Sequence, residues 1–299
     1  MRLDALKIFA RVAEQGSFTR AAESLGLPKA TVSTAVRDLE AELGAQLLQR
    51  TTRRVSLTYD GQAFLDRTRD LLSDVDDLSA MFETDPGDLT GRVRVDMTVN
   101  MAAGVVIPRL PEFLARHRHI EVELSSTDRI VDVVREGFDC VVRVGALPDS
   151  GLVARRLGVL EMANVASPAY LAAHGTPQTL DDLRDHRIVH YSLHLGAKPF
   201  GFEYPKGDGW AEIPMKGALT VNNTQSYTAA VLAGLGIIQA PRLGVGPHLK
   251  SGALKEILTD FPAEPLPVAI LYPQRRHLPR RVRAFIDWLA EILAPHLTR

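Results

Sequence analysis

The sequence predicts an α/β protein that carries an all-α helix-turn-helix head with a β-ribbon wing at its N-terminus. Three observations carry that expectation. Three short amphipathic helices occupy the first 43 residues, a long heptad-patterned helix follows, and strands alternate with helices from residue 92 onward.

The first helix is read over 3–15, where Leu3, Leu6, Phe9, Ala10 and Ala13 share a stripe and Gly16 ends the run. A second helix spans Ser17 to Leu25, with Ala21, Ala22 and Leu25 inward, and Gly26-Leu27 forms the turn. Pro28 opens a third helix, where its missing N–H costs nothing. That helix runs to Leu43, with Val32, Ala35, Val36, Leu39 and Leu43 on its buried side and Gly44 as C-cap. The ribbon RTTRRVSLT comes next, Val55 and Leu57 alternating with polar neighbours.

From about Asp60 to Asp85 one long helix is expected. Phe64, Leu71 and Leu78 repeat every seven residues, and Thr68, Val75 and Phe82 do the same. The 3.5-residue period favours self-pairing through Phe64, Leu71, Val75, Leu78 and Phe82, against the alternative of a helix packed on its own domain. Pro86-Gly87 breaks the helix and marks a hinge.

Beyond it, VRVDMTV, IEVELSS and DCVVRVG read as strands separated by helices over 103–117 and 130–137, the βαβ pattern of a mostly parallel sheet. A second unit starts near Glu161 with ANVAS, PAYLAAHG, RIVHYS, a loop holding Phe200 to Trp210, GALTVN, TQSYTAAVLAG and GIIQAP. LPVAILYP is a closing strand and RRVRAFIDWLAEIL an amphipathic helix.

The chain is 299 residues long, 45% hydrophobic and 24% charged, ordinary for a soluble globular protein of two or more domains. Ala229 to Ile238 is the longest apolar stretch, too short for the roughly 20 residues that span a bilayer. The N-terminus lacks the apolar core of an export signal, so a cytoplasmic protein is expected. Cys140 is the only cysteine, which excludes an intrachain disulfide. Net charge is −1, but residues 1–60 hold nine basic against seven acidic groups, with Arg50, Arg53 and Arg54 clustered. Residues 61–89 hold two against eight. A small net charge is compatible with DNA binding when the positive groups share one surface.

The third helix presents Lys29, Ala30, Ser33, Thr34 and Arg37 opposite its core stripe. Small polar groups reach base edges without clashing, and arginines in the ribbon neutralise phosphates. Ser17, Thr31, Arg53 and Arg54 complete the expected DNA-facing set. A small helical domain without a ligand fits charge and pattern equally well.

The order of residues is more specific. The segment contains GSF-x-x-AA-x-x-L, then T-V-S-x-x-V-x-x-LE-x-x-LG, then L-x-x-R-x-x-R-x-V-x-LT-x-x-G. These sixty residues closely resemble the LysR-type transcriptional regulator family. Weaker likeness continues through Pro108 to Phe113, VRVG at 142–145, ASPAYL at 166–171 and AGLGI at 233–237. Pro28 stands where the family usually has a small hydroxyl residue, Lys29 where it has glutamine, and Leu48 where it has phenylalanine before the wing. The first two bear on base preference; none threatens the fold.

The resemblance implies a winged helix-turn-helix over 1–59, a dimerising linker helix over 60–88, and a two-lobed effector domain over 89–299 like a periplasmic binding protein. Lobe I would be 89–161 with 266–299, and lobe II 162–265. It also implies a homodimer, often paired into a tetramer, that binds double-stranded operator DNA and uses no cofactor or metal.

Ligands of α/β sheets lie beyond strand carboxyl ends, near helix N-termini. Thr98, Asn100 and Met101 follow the first strand of the domain, and Asn223-Thr224 follow GALTV. By resemblance both junctions line the effector cleft, although Asn223 or Thr224 can equally be a plain N-cap. Thr127, Gly145, His190 and Ser192 end further strands and reach toward the same cleft. A small organic anion or aromatic metabolite is the expected effector. An enzyme and a solute-binding protein are the two rival functions. Cys140 lies in an apolar strand, and the His186, His190, His194 spacing falls on β-like sequence, so neither supports a catalytic or metal site. A solute binder leaves the first sixty residues unexplained.

Overall fold

The structure is a computed structural model that describes residues 2–50, 55–80, 88–146, 151–197, 200–274 and 278–298. It divides into two compact units, Met1–Arg92 and Val93–Arg299.

In the first unit, α1 (Leu3–Gln15), α2 (Phe18–Leu25) and α3 (Lys29–Leu43) enclose Phe9, Val12, Ala21, Val32, Val36 and Leu39. Gly26 turns the chain between α2 and α3 at φ +64°, a conformation in which a side chain is strained. The wing pairs β1 (Leu48–Arg50) antiparallel with β2 (Val55–Leu57). Glu40, on α3, accepts the Leu47 and Leu48 amides at 2.8 and 3.0 Å and so fixes where the wing leaves the helix.

The long helix is α4 (Tyr59–Ala80). Its first turns bury Gly61, Leu65 and Thr68, with Leu72 half-buried against the head core. Phe64 joins that core by an edge contact to Phe9, ring centroids 5.4 Å apart. Phe64, expected on the pairing seam, thus also packs on the head core. Leu71 is 42% exposed and Val75 half-buried. The Leu78 side chain, Phe82 and the hinge at Pro86-Gly87 lie outside the described residues.

In the second unit a five-stranded sheet has the order β4 (His119–Ser126), β3 (Thr90–Met97), β5 (Cys140–Val144), β14 (Leu266–Pro273), β6 (Leu152–Leu160). A mostly parallel sheet is expected, and β3, β5 and β6 run in one direction, β3 pairing parallel with β5, while β14 runs antiparallel to its neighbours β5 and β6. The return of the chain from the other lobe, rather than a helical crossover, delivers β14. Val99–Met101 (α5), a π-helical turn over Ala102–Val106, and α6 (Ile107–Arg116) follow β3 without a break. Phe113 of α6 packs edge-on against Phe285 and tilted against Trp288 of α10 (Arg280–Leu293), centroids 5.2 and 5.1 Å away.

The helix expected over 130–137 is absent. Residues 130–132 are irregular and 133–137 form a turn. Val131 and Val133 are buried while Ile130, Asp132 and Val134 are exposed, a period of two that no helix can satisfy. Local side chains supply the backbone partners. Asp132 accepts the Arg135 amide, and Glu136 accepts the Asp132 amide and the Arg129 guanidinium.

The chain passes into a second lobe at β7 (Met162–Ala166). There β12 (Ile238–Pro241) and β13 (Lys255–Glu256) flank β7, both antiparallel to it. β8 (His190–Tyr191) pairs in parallel with β11 (Thr220–Val221). The expected loop at Phe200 to Trp210 is largely a hairpin of β9 (Phe202–Lys206) and β10 (Gly209–Ile213), anchored by fully buried Phe202. Helices α7 (Pro168–His174), α8 (Thr224–Leu232) and α9 (Arg242–Lys250) cover the lobe.

Gly61 carries a sharp test. A Cβ there would lie 1.9 Å from the Leu47 carbonyl oxygen, so α4 approaches the wing root through bare backbone. Gly61→Ala should destabilise the head by about 1–3 kcal/mol or more, as overpacking does. Thermal unfolding of the head measures this, and an unchanged midpoint would show that the close approach is not required.

Candidate operator face and interlobe cleft

The head presents one polar surface. Lys29, Ala30, Thr31, Thr34 and Arg37 of α3 are exposed and Ser33 half-buried. Lys29 occupies the first helical position after the Pro28 N-cap. Ser17 is the N-cap of α2, its hydroxyl accepting the Arg20 amide at 3.4 Å. Arg37 lies 3.6 Å from Asp38, both largely exposed, so the pair adds little and leaves the guanidinium accessible. Arg53 and Arg54 lie outside the described residues.

Between the lobes of the second unit lies a cavity of about 920 Å³. Of the expected effector residues, Thr98, Thr127, Gly145 and Ser192 line it. A smaller recess of about 220 Å³ adjoins it, sharing Thr98, Asp128 and Tyr191, and takes in Asn100, Met101 and Thr224. Gly244 of α9 lets the second lobe approach Asn100 closely, since a Cβ there would meet its Nδ2 at 2.6 Å. His190 does not face the large cavity. It is buried beside a separate space of about 280 Å³, with Nδ1 3.0 Å from the Phe200 carbonyl. Asn223 is the N-cap of α8, its side-chain oxygen accepting the Ser226 amide at 2.8 Å.

Sequence reasoning missed Asp128, which follows Thr127 at the end of β4. Its Oδ1 accepts the Val99 amide at 3.3 Å, at the start of α5. Its Oδ2 accepts the Thr224 amide, at the start of α8. One carboxylate therefore caps a helix in each lobe, satisfying two donors that a helix N-terminus leaves unpaired. An acid directly after a strand end was the available signal.

Arg143 was also missed. It is 13% exposed and its Nη1 lies 2.8 Å from Oδ1 of Asp96, a fully buried carboxylate. Asp96 Oδ2 accepts the Ser125 and Thr127 hydroxyls at 2.7 and 3.3 Å. This pair orients Thr127 at the cleft floor, and removing one partner of such a pair leaves an uncompensated buried charge. At the rim Arg129 pairs with Glu136, which holds the Glu136 carboxyl below its usual range and raises the guanidinium. Burial, then the Asp128 charge, pushes the Tyr191 hydroxyl upward, so it stays protonated.

Cys140 is fully buried in β5 and burial pushes its thiol up, away from the reactive thiolate. Among the described residues no group of three or more His, Cys, Asp or Glu is placed to hold a metal ion. His186 Nδ1 instead lies within hydrogen-bond distance of the Tyr170 hydroxyl, 3.2 Å away, and that hydroxyl accepts the Arg187 amide. Among the described residues no helix is long and apolar enough to cross a membrane.

A helix-turn-helix head joined to a two-lobed ligand-binding unit defines a ligand-responsive DNA-binding regulator. Comparison with known proteins agrees. Residues 3–62 match the bacterial regulatory helix-turn-helix of the lysR family, and residues 86–294 match the LysR substrate binding domain. The chain is 48% identical to YhjC, an uncharacterized HTH-type transcriptional regulator of Escherichia coli (strain K12), over 99% of each chain. It is 39% identical to an HTH-type transcriptional repressor of Pseudomonas aeruginosa (strain UCBPP-PA14), over 98% of this chain and 92% of that protein. The structure of CrgA, a LysR-type transcriptional regulator from Neisseria meningitidis, superposes with a TM-score of 0.60 at 29% identity, covering 97% of this chain and 98% of that one. This chain belongs to the LysR family: it is a DNA-binding transcriptional regulator with an effector-binding domain.

The His186 environment yields a pH prediction. Burial lowers its pKa below the ordinary 6.5, with His174 adding to the shift and Asp182 and Asp185 opposing it. A depressed histidine is neutral when folded, so its contribution to stability is complete above 6.5 and is lost as pH falls through the lower folded value. The unfolding midpoint should drop between pH 7 and pH 5, and His186→Asn should drop less over the same interval. Equal drops in both proteins would remove His186 from the account.

Proposed function

We propose that this regulator reads its operator with the exposed face of α3 and responds to a small organic molecule held between the two lobes. The proposed division is a head over 1–59, a linker helix over 60–88 and an effector domain over 89–299, with its lobes joined at 161–162 and 265–266. Lys29, Ala30, Thr31, Ser33, Thr34 and Arg37 face base edges and phosphates, Ser17 orders α2 against the backbone, and Arg53 and Arg54 of the wing contact flanking phosphates. Thr98, Asn100, Met101, Thr127, Gly145, Ser192 and Thr224 receive the effector, joined by Asp128. His190 and Asn223 act behind them, by supporting the second lobe and by capping α8.

The observation that carries this reading is Asp128, whose one carboxylate is hydrogen-bonded to backbone of both lobes at the cavity wall. A ligand that alters this contact changes the preference between two lobe arrangements, which is the differential interaction that effector control requires. The protein works in the cytoplasm as a homodimer, or a tetramer of dimers' pairing, with Leu71 and Val75 continuing toward Leu78 and Phe82 as the pairing seam. Two heads then read half-sites about one helical turn, or a multiple of it, apart.

Two variants separate base reading from pairing. Genome-wide footprinting supplies the operator, and gel shifts on it compare the full-length proteins. Lys29→Ala should weaken operator binding about tenfold or more while leaving assembly intact. Leu71→Glu should shift sedimentation toward monomer and weaken binding by at least as much, without touching the DNA face. Full affinity in either variant would contradict the role given to that residue.

A further inference from the structure

We infer that the effector of this cleft is a neutral, largely apolar molecule carrying hydroxyl groups, such as an aromatic or polycyclic alcohol, rather than a carboxylate. The inference rests on reading the cavity as the effector site.

Both arginines of the lining and the first amide of each helix facing the cleft already meet an acid, Arg143 through Nη1 while its buried Nη2 has no hydrogen-bond partner. The amides opening α5 and α8 both donate to Asp128. Arg129 is forked onto Glu136, and Arg143 lies on buried Asp96. Among the described lining residues no lysine or arginine lacks an acid partner. His194 is the remaining titratable base, and it is exposed. Asp132 adds a second carboxylate to the wall. An incoming carboxylate would meet two resident acids and arginines already paired with acids, and it would lose its water without gaining an unpaired cation.

The remaining lining is apolar. Ile130 and Val134 from one lobe, and Leu193 and Phe200 from the other, are 57%, 69%, 38% and 75% exposed, unusual for large apolar side chains. Val141 and Leu271 form the floor. A volume of about 920 Å³ suits a ligand of drug size. Thr98 makes no side-chain cap to α5, because Asp128 caps it, so the Thr98 hydroxyl is available in both the cavity and its recess. Protonated Tyr191 offers a second hydroxyl in the same two spaces.

Shape-matched pairs test this on the full-length protein by calorimetry at pH 7.5 and constant ionic strength: 1-naphthol against 1-naphthoate, and 4-ethylphenol against 4-ethylbenzoate. In each pair the neutral member should bind at least about tenfold more tightly. Asp128→Asn removes the resident charge and should narrow the gap to about threefold or less, by strengthening the carboxylate. Leu193→Glu should weaken every probe, which locates them in the cleft. Carboxylates binding as tightly as their neutral partners, or a gap unchanged in Asp128→Asn, would overturn the charge inference alone. No binding by any probe, or binding indifferent to Leu193→Glu, would overturn the cleft reading beneath it.

Discussion

The two carboxylate oxygens of Asp128 join what the chain otherwise builds separately. One receives the amide of Val99, at the start of the helix leaving β3. The other receives the amide of Thr224, 96 residues away in the second lobe. Charge-assisted hydrogen bonds of this kind are about twice as strong as neutral ones. Here they act on donors that would otherwise be orphaned at helix starts. The large cavity opens beside this contact, so its charge, its width and the access to its hydroxyls all depend on where Asp128 sits. Beneath it, Asp96 and Arg143 hold Thr127 in place and fix the end of β4 from which Asp128 projects.

The head is built on a different constraint, close backbone approach. Glu40 ties α3 to the wing root through two amides, and Gly61 brings α4 against the Leu47 carbonyl. These contacts give physical meaning to the LE and LT-x-x-G portions of the head sequence. They also explain why the first turns of α4 belong to the head. Gly61, Leu65 and Thr68 share one face of the helix, and Leu71 looks elsewhere. The buried face of the helix is thus committed to the head, while Leu71 stands on another side of it.

Much of this was legible in the sequence. The three head helices, the wing, the long helix and the helix N-terminus at Asn223 follow from local patterns of capping and burial, whereas the helix read from 103 begins four residues earlier, at Val99. The α3 face was legible for the same reason: small polar residues lie opposite an apolar stripe. The failures are equally physical. The segment 130–137 contains enough apolar residues to pass for a helix, but Val131 and Val133 alternate with exposed neighbours, and Asp132 and Glu136 satisfy the backbone locally. The antiparallel placement of β14 depends on a chain return that no local window contains. The packing of Phe64 on Phe9 joins residues 55 positions apart and leaves no trace in a local pattern. Asp128 and Arg143 act through partners 29, 96 and 47 positions away, distances at which spacing carries no signal. His190 obeyed the strand-end rule yet turned inward, because the β9–β10 hairpin closes over it.

The central claim is that a single carboxylate bridges the lobes and sets the character of the cleft. Amide hydrogen exchange at Val99 and Thr224, measured in the full-length protein and in Asp128→Ala, tests it most directly. Both amides should be protected in the wild-type protein, and both should accelerate together in the variant while the β3 and β5 amides keep their protection. Acceleration at one amide only, or at neither, would contradict a bridge and leave the two lobes joined by some other contact.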